Sequence, residues 1–195
     1  VPMPGQAQPQ FHSRVEQIAP DGSSLSVLLD DARYPGPAPD GQHVAFVRSL
    51  PGGVGLFSHS LLDGTDSQLV APGSFLALAY PRFAPDGRRL AFAAIGLVPA
   101  IGRPAPSNPL GWLFNTRTAL AHGFPWEVWT VNADGTDLRQ VPDVVDDDPS
   151  VAWSPNGNLL LVYGGWGSYL VDPASGTTTS LSYLAGYGSV GWLPD

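Results

Sequence analysis

The densest group of side chains able to do chemistry is Asp146-Asp147-Asp148, three consecutive carboxylates. Hard oxygen donors in a row can ligate Ca²⁺ or a similar cation. The plainer expectation is that one Asp caps a turn and the others face solvent, since no second acidic cluster is fixed beside them. Asn132, Asp134, Gly135 and Asp137 carry part of a calcium-loop spacing. They lack its remaining ligands and closing Glu, and a hairpin turn accounts for them. His12, His43, His59 and His122 have no paired metal spacing, and no Ser lies in a G-x-S-x-G elbow. His122, near Trp126 and Glu127, is the most site-like of the four. The absence of Cys excludes disulfides, thiolate chemistry and Cys-ligated zinc. The residues therefore predict no catalytic constellation and no cofactor beyond the Ca²⁺ alternative.

The elements that would position these groups are read from turns. Pro39-Asp40-Gly41, Pro85-Asp86-Gly87 and Pro155-Asn156-Gly157 recur, with Pro194-Asp195 at the end of the sequence. Each follows a short segment with an aromatic residue or Pro, including Trp153 and Trp192. The first three precede apolar runs at His43–Val47, Arg89–Ala94 and Leu159–Tyr163. A second turn alternates with the first at Asp21-Gly22, Asp63-Gly64, Asp134-Gly135 and Ser175-Gly176. Asp-Gly and Asn-Gly tolerate positive φ, which suits primed turns between antiparallel strands. With 23 Gly, 21 Pro and no sustained helical spacing, long helices are excluded. Four short antiparallel strands per unit of roughly 40 residues mark a propeller blade. The expected fold is all-β, a β-propeller of four-stranded antiparallel blades with about three to four blades present.

The stretches DDPSVAWSPNGNLLLVY and WEVWTVNADGTDLRQV resemble the PD40 (TolB-like, WD40-like) β-propeller repeat. The resemblance spans about 14 to 195, apart from one insertion. It makes Asp40, Gly41, Asp86, Gly87, Trp153, Pro155, Gly157 and Trp192 structural positions of the repeat, with both Trp residues packed between blades. It also implies a location outside the cytoplasm: periplasmic, extracellular or cell-surface. Two functions fit the family. One is a non-catalytic interaction scaffold. The other is the gating propeller of a prolyl-oligopeptidase-like hydrolase whose catalytic domain lies elsewhere.

Residues 1–10 are Pro/Gln-rich and uncharged, as expected of a flexible linker. Residues 11–195 form the propeller. Arg14–Pro20 and Leu25–Leu29 read as the outer two strands of a blade, three full units follow, and Ser189–Leu193 reads as the first strand of another. The turn spacings are 46, 70 and 39 residues, the long one holding the insertion at 96–125. The strands permit a four-bladed ring or a piece of a six- to eight-bladed one. An open edge at the last strand favours the latter.

The insertion is long for a connection and strongly apolar, which suggests function. Its Trp112, Leu113, Phe114 and Phe124, with Trp126 just beyond, are the expected anchors for a protein partner or a second copy of the chain. The segment 103–109 contains P-x-x-P, and 115–122 has the composition for two helical turns. Net charge of −8, with all nine basic residues Arg, disfavours nucleic acid. No apolar run is long enough to span a membrane as a helix.

Overall fold

A computed structural model of the chain describes residues 12–96, 125–181 and 184–193. The expectations for the 1–10 linker, for 97–124 of the insertion, and for Tyr183 and the terminal Pro194-Asp195 lie outside these residues. Fourteen strands and no helix form among the described residues. A leading pair, β1 (Arg14–Gln17) and β2 (Ser26–Asp30), is followed by three four-stranded antiparallel meanders. The first blade is β3 (Ala32–Pro37), β4 (His43–Leu50), β5 (Gly53–Ser60) and β6 (Asp66–Phe75). The second is β7 (Ala77–Phe83), β8 (Arg89–Ile95), β9 (Trp126–Asn132) and β10 (Arg139–Asp146). The third is β11 (Ser150–Trp153), β12 (Leu160–Tyr163), β13 (Ser168–Asp172) and β14 (Thr177–Ser180).

The core explains why the second strands are apolar throughout rather than alternating. Successive strand side chains point to opposite faces, and the first and second blades each lie between two neighbours. In β4, Ala45 and Val47 join Leu90, Phe92 and Trp129 of the second blade, while Phe46 joins Phe57, Val15 and Leu29 under the leading pair. In β8, Leu90 and Phe92 face the first blade, while Ala91 packs with Trp153, Leu160 and Val162 of the third. Small Ala residues let those sheets approach. β12 differs: Leu160 and Val162 are buried, Leu161 and Tyr163 only half-buried.

The Pro-x-Gly turns correct one detail. They were expected to be primed turns. Instead Gly41, Gly87 and Gly157 donate their N–H to the carbonyls of Ala38, Ala84 and Ser154, at 3.1, 2.9 and 2.8 Å. This puts Pro at the second and Gly at the fourth position, as in a type I turn. Only the Gly takes positive φ, 66°, 68° and 71°. The middle residue acts through its side chain, Asp40, Asp86 and Asn156 each accepting the N–H two residues on.

The segment 189–193 corrects a second expectation, since it forms no strand. Trp192 is 38% exposed rather than inter-blade core. It nevertheless repeats the contact made by Trp153. Trp153 Nε1 donates to the Arg82 carbonyl of the preceding blade and Trp192 Nε1 to that of Ala152, both at 3.1 Å. Arg82 and Ala152 are matching repeat positions. The half-buried face of β12 leaves Trp192 less material to pack against.

Candidate functional site

In each meander the Gly turns emerge at one end. The connections between second and third strands, and those between blades, emerge at the other. That second end carries 51–52, 164–167 and the 96–125 insertion, together with Asp31, Leu76 and Asp147–Pro149. β8 ends at Ile95 and β9 begins at Trp126, so the insertion leaves from this face.

The three carboxylates separate here. Asp146 closes β10 and is fully buried. Its Oδ1 accepts the N–H groups of Asp147 and Trp166, both at 2.7 Å, fastening the 164–167 loop. Its Oδ2 and the hydroxyl of Ser150 are buried without a partner among the described residues. Burial pushes the Asp146 carboxyl above its ordinary value, against the pull of backbone N–H groups from Trp166, Asp147 and Gly167. Gly164 lies directly over this carboxylate, where a Cβ would collide with it.

Asp147 and Asp148 turn outward. Tyr187 donates to Asp147 Oδ2 at 2.6 Å, and that bond raises the phenol's pKa. Tyr80 donates to Asp148 Oδ2 at 3.4 Å. Burial first, then the Asp148 charge, raises the Tyr80 pKa. Tyr80 packs edge-on against Tyr34, ring centroids 4.9 Å apart. These two tyrosines sit at matching bulges in β3 and β7, each before a Pro and each at positive φ, 54° and 53°. Proline at a bulge costs no ladder bond. Gly36 beside the first bulge allows β3 to approach the Pro81 carbonyl, where no Cβ fits.

Hydrogen bonds hold the surrounding loops together. Gly165 donates to the Asp147 carbonyl and Gly186 to that of Gly164, each at 2.9 Å. Ser168 Oγ donates to the Leu184 carbonyl at 2.8 Å. On this tied platform Trp166 is 44% exposed, and Leu184 and Tyr187 are each 64% exposed.

Of the residues expected from sequence, Trp112, Leu113, Phe114, Phe124 and His122 lie outside the described residues. Trp126 is half-buried, opposite Asp146 in the β9–β10 ladder. The Asp146–Asp148 run stays together in sequence, but each carboxylate has a different partner. No group of three or more metal-ligating side chains converges among the described residues. His43 and His59 lie in strands β4 and β5, paired with Asp40 and Asp66. Asp134 accepts from Thr136 N and Oγ1 as a turn residue. Tyr34 and Tyr80 are not among the site residues expected from sequence, whereas Trp166 and Tyr187 fall in the loops 163–168 and 183–187 that strand parity places on this face. The only signal for the first two was the repeated Tyr-Pro pair.

This architecture defines a β-propeller. Comparisons with known proteins agree. No protein-family model and no curated protein matches the chain. Among solved structures it resembles TolB from Acinetobacter baumannii, at 15% identity and TM-score 0.62, over 86% of this chain and 37% of that one. It resembles a chain of a nidogen/laminin complex at 10% identity and TM-score 0.63, over 92% of this chain and 60% of that one. A Pyrococcus horikoshii acylaminoacyl peptidase matches at 16% identity and TM-score 0.53, over 88% of this chain and 28% of that one. The chain thus spans less than two thirds of each of these structures, and at such identities the likeness concerns the fold alone.

Proposed function

We propose that this chain is a non-catalytic, TolB-like docking module, exported or at the cell surface. It engages a protein partner through the face that carries the inter-blade connections and the 96–125 insertion. The observation behind this reading is the platform of hydrogen-bonded loops that presents Trp166, Leu184 and Tyr187 together at that end. Leu50 and Leu76 are exposed at the same end, while Ile18, Leu25, Leu61 and Leu62 are exposed beside the Gly turns. Exposed apolar residues gathered on one surface usually mark an interface, and aromatic anchors commonly dominate its energy. The insertion leaves β8 and returns to β9 at this end, and its Trp112, Leu113, Phe114 and Phe124 are proposed as anchors from sequence. The repeat's resemblance to TolB-like proteins supports both the scaffold role and the exported location.

Deletion of 99–120 tests the reading. Loss of partner capture with the melting temperature held supports docking through the insertion. Unchanged capture with a lowered melting temperature would mean that the insertion merely buttresses the propeller. The competing role, a gating propeller for a hydrolase, gains ground if the gene continues into an α/β-hydrolase region.

A further inference from the structure

The docking face has a chemistry of its own. Tyr34, Tyr80, Asp148, Asp147 and Tyr187 form one continuous array drawn from separate parts of the chain. Each is linked to the next by ring contact, hydrogen bond or chain adjacency. Tyr34 and Tyr80 come from the innermost strands, Asp147 and Asp148 from the β10–β11 connection, and Tyr187 from the segment after β14. Aromatic faces carry negative charge density, and carboxylates beside them add full charge. Together they recognise a guanidinium or ammonium group.

Among the described residues, the cations at this end that face the array have partners. Arg33 donates to Ser49 Oγ at 2.8 Å, and Arg48 pairs with Asp66 at 2.7 Å. Arg82 donates to the carbonyls of Pro81 and Pro35, at 3.1 and 3.5 Å. It forms no carboxylate ion pair among the described residues, though its charge lowers the Tyr80 pKa against the larger raising effects of burial and Asp148. Asp30 and Asp31, both exposed, extend the negative surface at the β2–β3 connection. With a net charge of −8 and no Lys, the molecule favours a cationic partner at long range as well.

We infer that the docking partner presents an arginine- or lysine-rich protein segment, whose cationic side chains lie against Tyr34, Tyr80 and Tyr187 and pair with Asp147 and Asp148. This rests on the docking reading above and specifies its partner. Charge complementarity sets both partner choice and encounter rate at such surfaces. The apolar residues around the array, Trp166 and Leu184, supply the water-excluding surround.

The test uses a labelled hexa-arginine peptide, with hexa-glutamate as its opposite, and fluorescence anisotropy on the full chain at about 0.15 M salt, where the Debye length is about 8 Å. Hexa-arginine should bind and hexa-glutamate should not. The double variant Asp147→Asn, Asp148→Asn should weaken hexa-arginine about tenfold, as expected for loss of two short-range charge contacts. The charge-matched control Asp21→Asn, Asp63→Asn, in turns at the other end, should change it less than about twofold, because exposed charges farther than a Debye length are screened. Arg82→Gln leaves every proposed acceptor in place and should tighten binding, so the inference is tested even if the Asp variants fold poorly. Equal losses from the two double variants would overturn it, as would binding of hexa-glutamate or weakening by Arg82→Gln. If Trp166→Ala abolishes capture of the native partner while the Asp147/Asp148 variant leaves capture intact, the docking face stands and the basic partner is refuted.

Discussion

Replacing Trp153 by Phe isolates the contact that fastens one blade to the next. Trp153 is 7% exposed, donates to the Arg82 carbonyl at 3.1 Å, and lies under the Arg89 guanidinium at 4.9 Å. Phe keeps an aromatic ring but removes the N–H donor, a net loss of about 1 kcal/mol. The smaller ring leaves a partial cavity costing about 1 kcal/mol. A weaker cation–π contact adds roughly 0.5 kcal/mol. The total, about 2.5 kcal/mol, should lower the melting temperature by roughly 5–10 °C in a chain of this size. Trp192→Phe removes the same hydrogen bond to Ala152, but at a side chain already 38% exposed. Water replaces the lost donor there, so the cost should stay below about 1 kcal/mol. Urea unfolding followed by circular dichroism, with calorimetry alongside, measures both. If Trp192→Phe costs as much as Trp153→Phe, burial between blades is not what gives this contact its strength.

Two further outcomes follow from Asp146. Gly164→Ala places a Cβ 2.5 Å from Asp146 Oδ1 and 2.9 Å from Oδ2. Because this crowds a carboxylate holding two backbone N–H groups, it should destabilise by about 2 kcal/mol or more and increase amide exchange at Trp166. An unchanged exchange rate at Trp166 would show that Asp146 does not hold that loop.

The second outcome concerns pH. Burial raises the Asp146 pKa in the folded chain, so its native state takes up a proton before its unfolded state does as pH falls. As pH falls through its raised folded value toward its unfolded value of about 4, protonation of Asp146 should therefore add stability, and Asp146→Asn should remove that part of the profile. Asp66 has the opposite sign. Burial raises its pKa, but hydrogen bonds from His59 and Arg48 outweigh this and leave it lowered. Its contribution is present above its unfolded value near pH 4 and lost as pH falls through its folded value. Wild-type and Asp146→Asn profiles that run parallel from neutral pH to about pH 4 would contradict the Asp146 assignment.

Much of the blade architecture was legible because its determinants are local. Pro-x-Gly turns followed by apolar runs specify hairpins, and double-sided burial explains why the central strands β4 and β8 lack alternation. Two features were not legible. The turn type depended on whether Asp or only Gly takes positive φ, which dipeptide preference does not decide. The fate of Trp192 depended on what covers β12 rather than on its place in the repeat. The site was read less fully. The face followed from strand parity, and Asp146–Asp148 was conspicuous. That Asp146 would turn inward while its neighbours met Tyr187 and Tyr80 depended on contacts 40 and 68 residues away in the chain. Tyr34 and Tyr80 looked structural because they occupy matching repeat positions. Their pairing across β3 and β7 is a product of packing between adjacent blades, not of either segment.

The central claim is that one end of the propeller docks a protein. A photo-crosslinking residue placed at Trp166, and separately at Leu62 on the opposite end, tests it in the native setting. Leu62 is a fair control because it is 74% exposed and lies in a Gly turn. A discrete protein adduct is expected from position 166 and none from position 62. An adduct from 62 alone, or none from 166 in cells where the protein is native, would contradict it.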